Sequence, residues 1–278
     1  MRRCWLILLC FCCISVPAYA SSLQLITTVK PLQLLVADIA GDAAEVALLQ
    51  SAATSPHDFQ LRSSDLGRLA KADMVLWFGP ALEHYLSKPI RRFDHAVALY
   101  PDDQPGDVDA HYWLDVEQIH YMARRIAKLL SDRVPSRSAY FHANAARLTS
   151  ALRLYDKSLA SRLQRAGDQR YLFLHDGFSR FEARYDLRGG LVLSGGEGRM
   201  AGARHLAELR EQLQAGEIQC VFREPQYPAA MLRVLTQGLD VPVVELDPMA
   251  GETTTAGGFM GFYRQLGEAF ASCLVASP

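Results

Sequence analysis

One long helical pattern divides this sequence into two halves. Between Pro135 and Gly167, apolar residues recur at steps of three or four, which is the spacing of one helix face: Phe141, Ala145, Leu148, Leu152, Tyr155, Leu159 and Leu163. Proline and glycine at the two flanking positions are typical of helix ends. At a rise of about 1.5 Å per residue, a helix over 136–166 would be roughly 45 Å long. Because that exceeds the diameter of either half, we expect a rigid helix that joins two lobes.

Strand and helix patterns alternate on both sides of this helix. In the first half, residues 21–135, short apolar runs predict strands at 23–27, 45–49, 74–78 and 96–99. In the second half, residues 168–278, they predict strands at 171–174, 191–193, 220–222 and 243–246. Such alternation is typical of parallel sheets flanked by helices. The sequence therefore predicts an α/β fold of two (β/α) lobes joined through residues 136–167, with a ligand site beyond the carboxyl ends of the strands, in the cleft between the lobes.

The N-terminus carries an export pattern. Arg2 and Arg3 precede an apolar run over residues 4–16, and Ala18-Tyr19-Ala20 supplies the small residues that signal peptidase requires. We expect residues 1–20 to be a signal peptide that is cleaved after Ala20. No other segment approaches the ~18 consecutive apolar residues of a membrane span. A formal net charge of -1, with no basic block, argues against nucleic-acid binding.

Two of the six cysteines remain after the signal peptide, Cys220 and Cys273. An even pair in an exported protein favours one disulfide, and the alternative is two buried thiols. Closing a loop of about fifty residues would stabilise the fold by roughly 4 kcal/mol through chain entropy. Neither cysteine belongs to a C-x-x-C pattern, which argues against a redox enzyme.

Four side chains with metal-binding chemistry follow predicted strands, two in each lobe: His57, His111, His175 and Asp247. Three imidazole nitrogens and one carboxylate oxygen can complete a tetrahedron around zinc at about 2.0 to 2.2 Å. Histidine-rich sites favour zinc, copper or nickel, whereas carboxylate-rich sites favour manganese or magnesium. Each residue also has a purely structural interpretation, as an exposed loop residue, a member of an aromatic cluster or a turn former. The other histidines are expected at the surface: His84, His95, His120, His142 and His205.

A series of short motifs covers essentially the whole mature chain in order: Val29-Lys30-Pro31-Leu32, Ser55-Pro56-His57-Asp58-Phe59, Leu61-Arg62-Ser63-Ser64-Asp65, Ala72-Asp73-Met74-Val75, His111-Tyr112-Trp113-Leu114, Leu174-His175-Asp176-Gly177, Phe222-Arg223-Glu224-Pro225-Gln226 and Leu246-Asp247-Pro248. Together they resemble the zinc-binding periplasmic receptors of ABC importers, the ZnuA type of the cluster A-I metal-binding family. The resemblance implies two (β/α) lobes joined by one long helix. It also implies that His57, His111 and His175 bind zinc, since manganese relatives usually have glutamate at the third position.

The resemblance also bears on the rest of the site. Asp247 matches an acid that completes the site in other members, so we take it as the fourth ligand, with water as the alternative. Some zinc members use an acid immediately before the first histidine, but Pro56 stands there in this chain. Many carry a long histidine-rich loop before the second ligand, whereas residues 99–109 here are short and contain no histidine. Cys220 and Cys273 fall where the zinc type has its disulfide.

By this resemblance the protein is expected to be a periplasmic solute-binding protein rather than an enzyme. It would capture Zn(II) as a monomer and deliver it to the membrane permease of an ABC importer, which works with a cytoplasmic ATPase. One alternative is a receptor for manganese or another divalent metal. A second is a metal chaperone or adhesin that never meets a permease.

Two enzyme classes are further alternatives. A secreted zinc hydrolase could use the same three histidines with a water at an open position, but the sequence has neither HExxH nor G-x-S-x-G. A dinucleotide enzyme is suggested by G-x-G-x-x-A over residues 196–201. One such match is weak, and we interpret these glycines as a loop.

Overall fold

The computed structural model describes residues 22–103, 108–194, 202–251 and 257–275. The described part of the first lobe contains, in order, β1 (Leu23–Thr27), α1 (Lys30–Ala40), β2 (Ala44–Leu48), α2 (Ser63–Leu69), β3 (Met74–Trp77), β4 (Ala96–Ala98) and α3 (Val116–Arg133). The long helix α4 (Ser138–Leu163) leads to β5 (Arg170–Phe173), α5 (Ser179–Tyr185), β6 (Gly190–Val192), α6 (Ala203–Gln214), β7 (Ile218–Arg223), α7 (Ala229–Thr236), β8 (Val243–Glu245) and α8 (Gly258–Leu274). The expected signal peptide and the glycine motif at 196–201 lie outside the described residues.

Within these residues, each lobe is built on a four-stranded parallel sheet. The strand order is β2-β1-β3-β4 in the first lobe and β6-β5-β7-β8 in the second, so the two sheets share one topology. In the first sheet, Leu25 pairs with Val46 on one side and with Met74 on the other. The predicted α/β class with a parallel sheet in each lobe is confirmed. Because all strands of a sheet run the same way, the loops that follow them emerge at one edge.

The predicted long helix is present, with its ends tightened into short 3-10 turns at Pro135–Arg137 and Gln164–Ala166. All of the predicted apolar stripe is buried except Tyr155, which is half-buried and donates from its hydroxyl to the carbonyl of Arg264 at 3.1 Å. Helix α4 packs against α1 and α3 of the first lobe and against α8 of the second. Its stripe is therefore covered by both lobes, as a joining helix requires.

Two polar residues are also buried on α4, and each bonds to a different lobe. The amide of Asn144 donates to the carbonyl of Ile39 at 3.0 Å, on α1. The carboxylate of Asp156 accepts from Nε of Arg184 at 2.9 Å, on α5. Since burying a polar group is costly unless it is hydrogen-bonded, these pairs fix the lobes on the helix in one arrangement. The apolar periodicity of the helix does not predict these two buried polar pairs.

The largest apolar cluster belongs to both lobes, because it includes residues of α1, α3, α4, α8 and both sheets. Two smaller clusters cover the outer faces of the sheets, one in each lobe. The two lobes share this core because the C-terminal helix α8 packs on α1 and α4 as well as on β7 and β8 of its own sheet. This shared core opposes large hinge motion between the lobes.

The predicted disulfide is confirmed: Cys220 on β7 is bonded to Cys273 on α8, across 53 residues. None of the described helices combines the length and the hydropathy that a membrane span needs. Among the histidines expected at the surface, His84 and His142 are exposed. The prediction is wrong for His120, which is 2% exposed between α3 and α4 and has Nε2 at 3.3 Å from the carbonyl of Thr149.

Candidate metal centre

Three histidines from separate loops meet between the two lobes. His57 lies in the loop between β2 and α2, His111 lies between β4 and α3, and His175 follows β5. Nε2 of His111 is 3.4 Å from Nε2 of His57 and 3.4 Å from Nε2 of His175. Ligand atoms bound at 2.0–2.1 Å to a tetrahedral zinc are about 3.3 Å apart. The imidazoles are thus already spaced as ligands of one small metal ion.

Carboxylates hold two of these imidazoles from behind. Nδ1 of His111 donates to Oδ1 of Asp109 at 2.7 Å. Nδ1 of His175 lies 2.5 Å from Oε2 of Glu224, and neither atom has another hydrogen-bond partner among the described residues. A proton on each Nδ1 leaves the Nε2 lone pair free to bind a metal. The carboxylates therefore select the tautomer that zinc requires.

Glu224 is anchored more firmly than an ordinary acidic residue. It is 0% exposed, and its Oε1 accepts from the backbone N–H groups of Leu174 and His175, both at 3.2 Å. It stands at the end of β7, beside the end of β5 that carries His175. Adjacent parallel strands thus place the imidazole and its carboxylate side by side.

The pKa values of these groups follow from burial and from their neighbours. Burial, together with the imidazoles of His111 and His175, lowers the pKa of His57 to about 3. Burial alone would lower the pKa of His175, but the Glu224 carboxylate outweighs it and raises this pKa above the usual 6.5. Burial would likewise raise the pKa of Asp109, yet the hydrogen bond from His111 holds it well below its usual range. The site offers His57 as a neutral nitrogen donor and places negative charge behind His111 and His175, which suits a divalent cation.

Asp247, expected as the fourth ligand, is not placed with the imidazoles. Among the described residues, the group with metal-binding atoms within 4.8 Å of one another consists of the three histidines. Oδ1 of Asp247 accepts from the amide of Gln226 at 2.8 Å and from the N–H of Met249 at 2.9 Å, and Oδ2 accepts from the N–H of Gly251 at 2.5 Å. The carboxylate closes the turn that follows β8, which is the role that aspartate often takes in turns. The geometry favours the alternative, water.

A small cavity of about 10 Å³ adjoins the histidines. His111 and His175 line it together with Tyr227 and Gln226, whose buried Oε1 has no hydrogen-bond partner among the described residues. Its volume suits about one water molecule. The amide nitrogen of Gln226 donates to the carbonyl of Ala52 at 3.0 Å, so this side chain also joins the two lobes. Glu224 and Gln226 belong to a motif recognised in the sequence, but that motif gave neither a role.

Two α/β lobes on one long helix, with three imidazoles converging between them, define a two-lobed metal-binding protein. A sequence model described as "Zinc-uptake complex component A periplasmic", ZnuA, matches residues 25–273. The chain belongs to this family.

Relatives and solved structures agree with this assignment. The chain is 27% identical over 296 residues to the high-affinity zinc uptake system protein ZnuA of Yersinia pestis, covering 93% of each chain. It is 25% identical over 288 residues to the corresponding protein of Haemophilus ducreyi, covering 90% of this chain and 93% of that one. A crystal structure of ZnuA superposes with a TM-score of 0.80 at 20% identity, covering 92% of this chain and 99% of that one. The structural likeness extends the fold over both lobes.

Proposed function

We propose that this protein is the periplasmic receptor of a zinc importer. It captures Zn²⁺ between its lobes and delivers it to an ABC-type membrane permease that works with a cytoplasmic ATPase. The observation that carries the proposal is the convergence of three imidazoles, in which Nε2 of His111 lies at the spacing of zinc ligands from Nε2 of both His57 and His175. Membership of the zinc-uptake family supports the same function.

The proposed ligands are His57, His111 and His175, with a water in the adjoining cavity as the fourth. All three protein ligands are nitrogen donors, which favours zinc over manganese. Asp247 acts from outside this set by holding the loop beside the cavity. The bound water would face Oε1 of Gln226, which lines the cavity and is buried without a partner among the described residues.

The same cavity favours a receptor over a zinc hydrolase. Catalysis would require room for a substrate beside the metal, whereas about 10 Å³ accommodates little more than one water. The nearby carboxylates of Asp109 and Glu224 face the Nδ1 atoms of histidines. Both are thus committed to orienting ligands, and neither is free to serve as a general base.

Isothermal titration of the chelator-stripped mature protein with Zn²⁺ tests the proposal. We expect one zinc per chain, with binding strongly weakened in His57→Ala, His111→Ala and His175→Ala. His142→Ala is the matched control, because His142 is exposed on α4. Absence of a one-to-one event, or unchanged affinity in the three ligand variants, would overturn the proposed function.

Delivery and export are tested separately. Zinc-loaded protein should stimulate ATP hydrolysis by the cognate permease complex in proteoliposomes, and the metal-free protein should do so less. Mass spectrometry of the exported protein should give an N-terminus at Ser21, since cleavage is proposed after Ala20. Light scattering should give a monomer. A zinc-binding protein that no permease recognises would instead be a metal chaperone or adhesin.

A further inference from the structure

The carboxylate of Asp109 is shared between the two lobes. Its Oδ1 accepts from Nδ1 of His111 at 2.7 Å and from the backbone N–H of the same residue at 2.9 Å. Its Oδ2 accepts from Oγ of Ser179 at 2.6 Å and from the backbone N–H of Arg180 at 3.3 Å. His111 belongs to the first lobe, whereas Ser179 and Arg180 begin helix α5 of the second. Oδ1 therefore orients the imidazole of His111, while Oδ2 bonds to the opposite lobe.

The side chain of Arg180 reinforces this connection. Its Nε donates to the backbone carbonyl of Asp109 at 2.6 Å, and its guanidinium lies 4.7 Å from the centre of the Tyr112 ring. Its Nη1 is 3.6 Å from Oδ2 of Asp115. The Arg180 side chain is 19% exposed, so these contacts are largely shielded from solvent. Arg180 thus contacts the residues on both sides of His111.

Among the described residues, neither of the other two imidazoles has a carboxylate that bonds to both lobes. His175 is held by Glu224, which belongs to its own lobe. Within the described residues, Nδ1 of His57 has no hydrogen-bond partner, and its backbone N–H donates to Ser55 of the same loop. Among the described residues, Asp109 is therefore the carboxylate through which contact between the lobes acts on the orientation of a ligand.

We propose that Ser179 and Arg180 are positioning residues that set how slowly zinc is released. The inference rests on the proposed function. When the lobes are together, these residues fix Asp109, and Asp109 fixes the His111 ring toward the metal. When the start of α5 moves away from Asp109, the bonds from Ser179 and Arg180 to Oδ2 are lost, and His111 becomes free to turn away. Contact with a permease that parts the lobes at this point would then speed release.

The expected change in the rate of zinc dissociation follows from how much the outer hydrogen-bond partners of metal ligands contribute to affinity. Outer partners of metal ligands are worth about 10- to 100-fold in affinity. Ser179 and Arg180 act one step further out, so we expect about tenfold faster dissociation in Arg180→Gln and a few-fold faster dissociation in Ser179→Ala. Association should be little changed, because Ser179 and Arg180 contact Asp109 and not the Nε2 atoms that the metal approaches.

Stopped-flow competition with a chromophoric chelator measures zinc release from the full-length mature protein. Ser179→Thr keeps the hydroxyl and should release zinc at nearly the wild-type rate. Arg188→Ala is the matched control, since Arg188 lies just after α5, is 76% exposed and pairs with Asp186 at the surface. The Co²⁺-substituted protein supplies a second measurement: its d–d absorption should shift in Ser179→Ala and Arg180→Gln, because the His111 ring changes orientation. A purely structural role would leave that spectrum unchanged.

The outcomes separate this inference from the proposed function. If the wild type binds no zinc, the proposed function fails and the inference falls with it. If the wild type binds one zinc but Ser179→Ala releases it at the wild-type rate with an unchanged Co²⁺ spectrum, the inference alone is overturned. Equal acceleration in Arg188→Ala would also overturn it. Ser179→Ala removes one hydroxyl without a change of charge, so it keeps the test valid even if an arginine variant misfolds.

Discussion

The two lobes support their histidines in different ways. In the second lobe, His175 follows strand β5 directly, is 7% exposed and rests on the fully buried Glu224. In the first lobe, His57 lies in the loop between β2 and α2, and its backbone N–H donates to Oγ of Ser55 in the same loop at 3.3 Å. One imidazole is fixed by a sheet and a buried carboxylate. The other depends on a loop.

This difference indicates an order of events at the site. The His175 side is built by the fold itself, so it is available before zinc arrives. His57 can move with its loop at lower cost, because its imidazole has no hydrogen bond on Nδ1 among the described residues. We infer that zinc first meets His175 and His111 and that His57 closes the site. The shared core around α4 means that this closure needs loop movement more than a large hinge motion.

Two single variants, His57→Ala and His175→Ala, should show the largest difference between the loop-borne imidazole and the imidazole that the fold holds in place. Either His57→Ala or His175→Ala removes a proposed zinc ligand, so zinc affinity should fall at least about 100-fold, beyond the range of outer partners. His175→Ala should in addition cost about 3 kcal/mol or more of folding stability, since the buried Glu224 carboxylate loses its partner. Chelator competition measures affinity, and urea unfolding of the metal-free protein measures stability.

The exposed His142 provides the control for these two variants. His142→Ala should change neither affinity nor stability. An equal loss of folding stability in His57→Ala and His175→Ala would contradict the contrast between a preformed half and a loop-borne half.

Replacing the carboxylate behind His175 tests the preformed half alone. Glu224→Gln keeps the size of the side chain but removes the charge that orients the imidazole. We expect zinc affinity to fall about 10- to 100-fold. Glu245→Gln is the matched control, because Glu245 pairs with Arg223 at the surface and is 50% exposed. An affinity within error of wild type in Glu224→Gln would mean that His175 is oriented by packing alone.

Much of this architecture could be predicted from the sequence because it is local. The strand at 74–78 is a nearly pure apolar run, and the structure has β3 at Met74–Trp77. Seven apolar residues recur at steps of three or four along the long helix, and they mark the face that both lobes cover. Ordered motifs identified the family and the three histidines that the structure brings together. In each case a short pattern determines the outcome.

The supporting contacts could not be predicted, because they depend on distant residues and on side-chain direction. Glu224 is 49 residues from His175 in sequence, and only the pairing of β5 with β7 makes them neighbours. A sequence pattern placed Asp247 after a strand but could not show that its oxygens turn toward Met249 and Gly251. His120 has the polarity of a surface residue, yet it is enclosed where α3 crosses α4.

Acid should weaken zinc binding through His175 before His57 has any effect. The pKa of His175 is raised above 6.5 by Glu224, whereas that of His57 is lowered to about 3 by burial and neighbouring imidazoles. Because a ligating imidazole must be neutral, affinity should fall about tenfold per pH unit below the pKa of His175. The metal-free fold responds in the opposite sense: the His175–Glu224 pair stabilises it at low pH, and that stabilisation is lost as pH rises through the raised pKa.

Competition titrations between pH 5.5 and 8 measure this dependence. Below the raised pKa of His175 we expect about one proton released per zinc, and the onset of this release, above pH 6.5, should move to lower pH in Glu224→Gln. A flat profile down to pH 5.5 would contradict the raised pKa. A steep onset that survives in Glu224→Gln would assign the proton to another group.

Asp247 gives the smallest expected effect on zinc and decides whether the second lobe supplies one ligand or two. Asp247→Asn keeps the oxygen that accepts from Gln226 and Met249 but presents an N–H₂ group to the N–H of Gly251, which leaves a donor facing a donor. Folding stability should fall by about 1–2 kcal/mol. Zinc affinity should stay within about threefold of wild type, below the range for outer partners of a ligand.

Asp132→Asn, at an exposed pair with Lys128, should change neither quantity. A 100-fold loss of affinity would instead mean that the carboxylate leaves its turn when zinc binds; the second lobe would then also contain a moving ligand, and the contrast with the His57 loop would disappear.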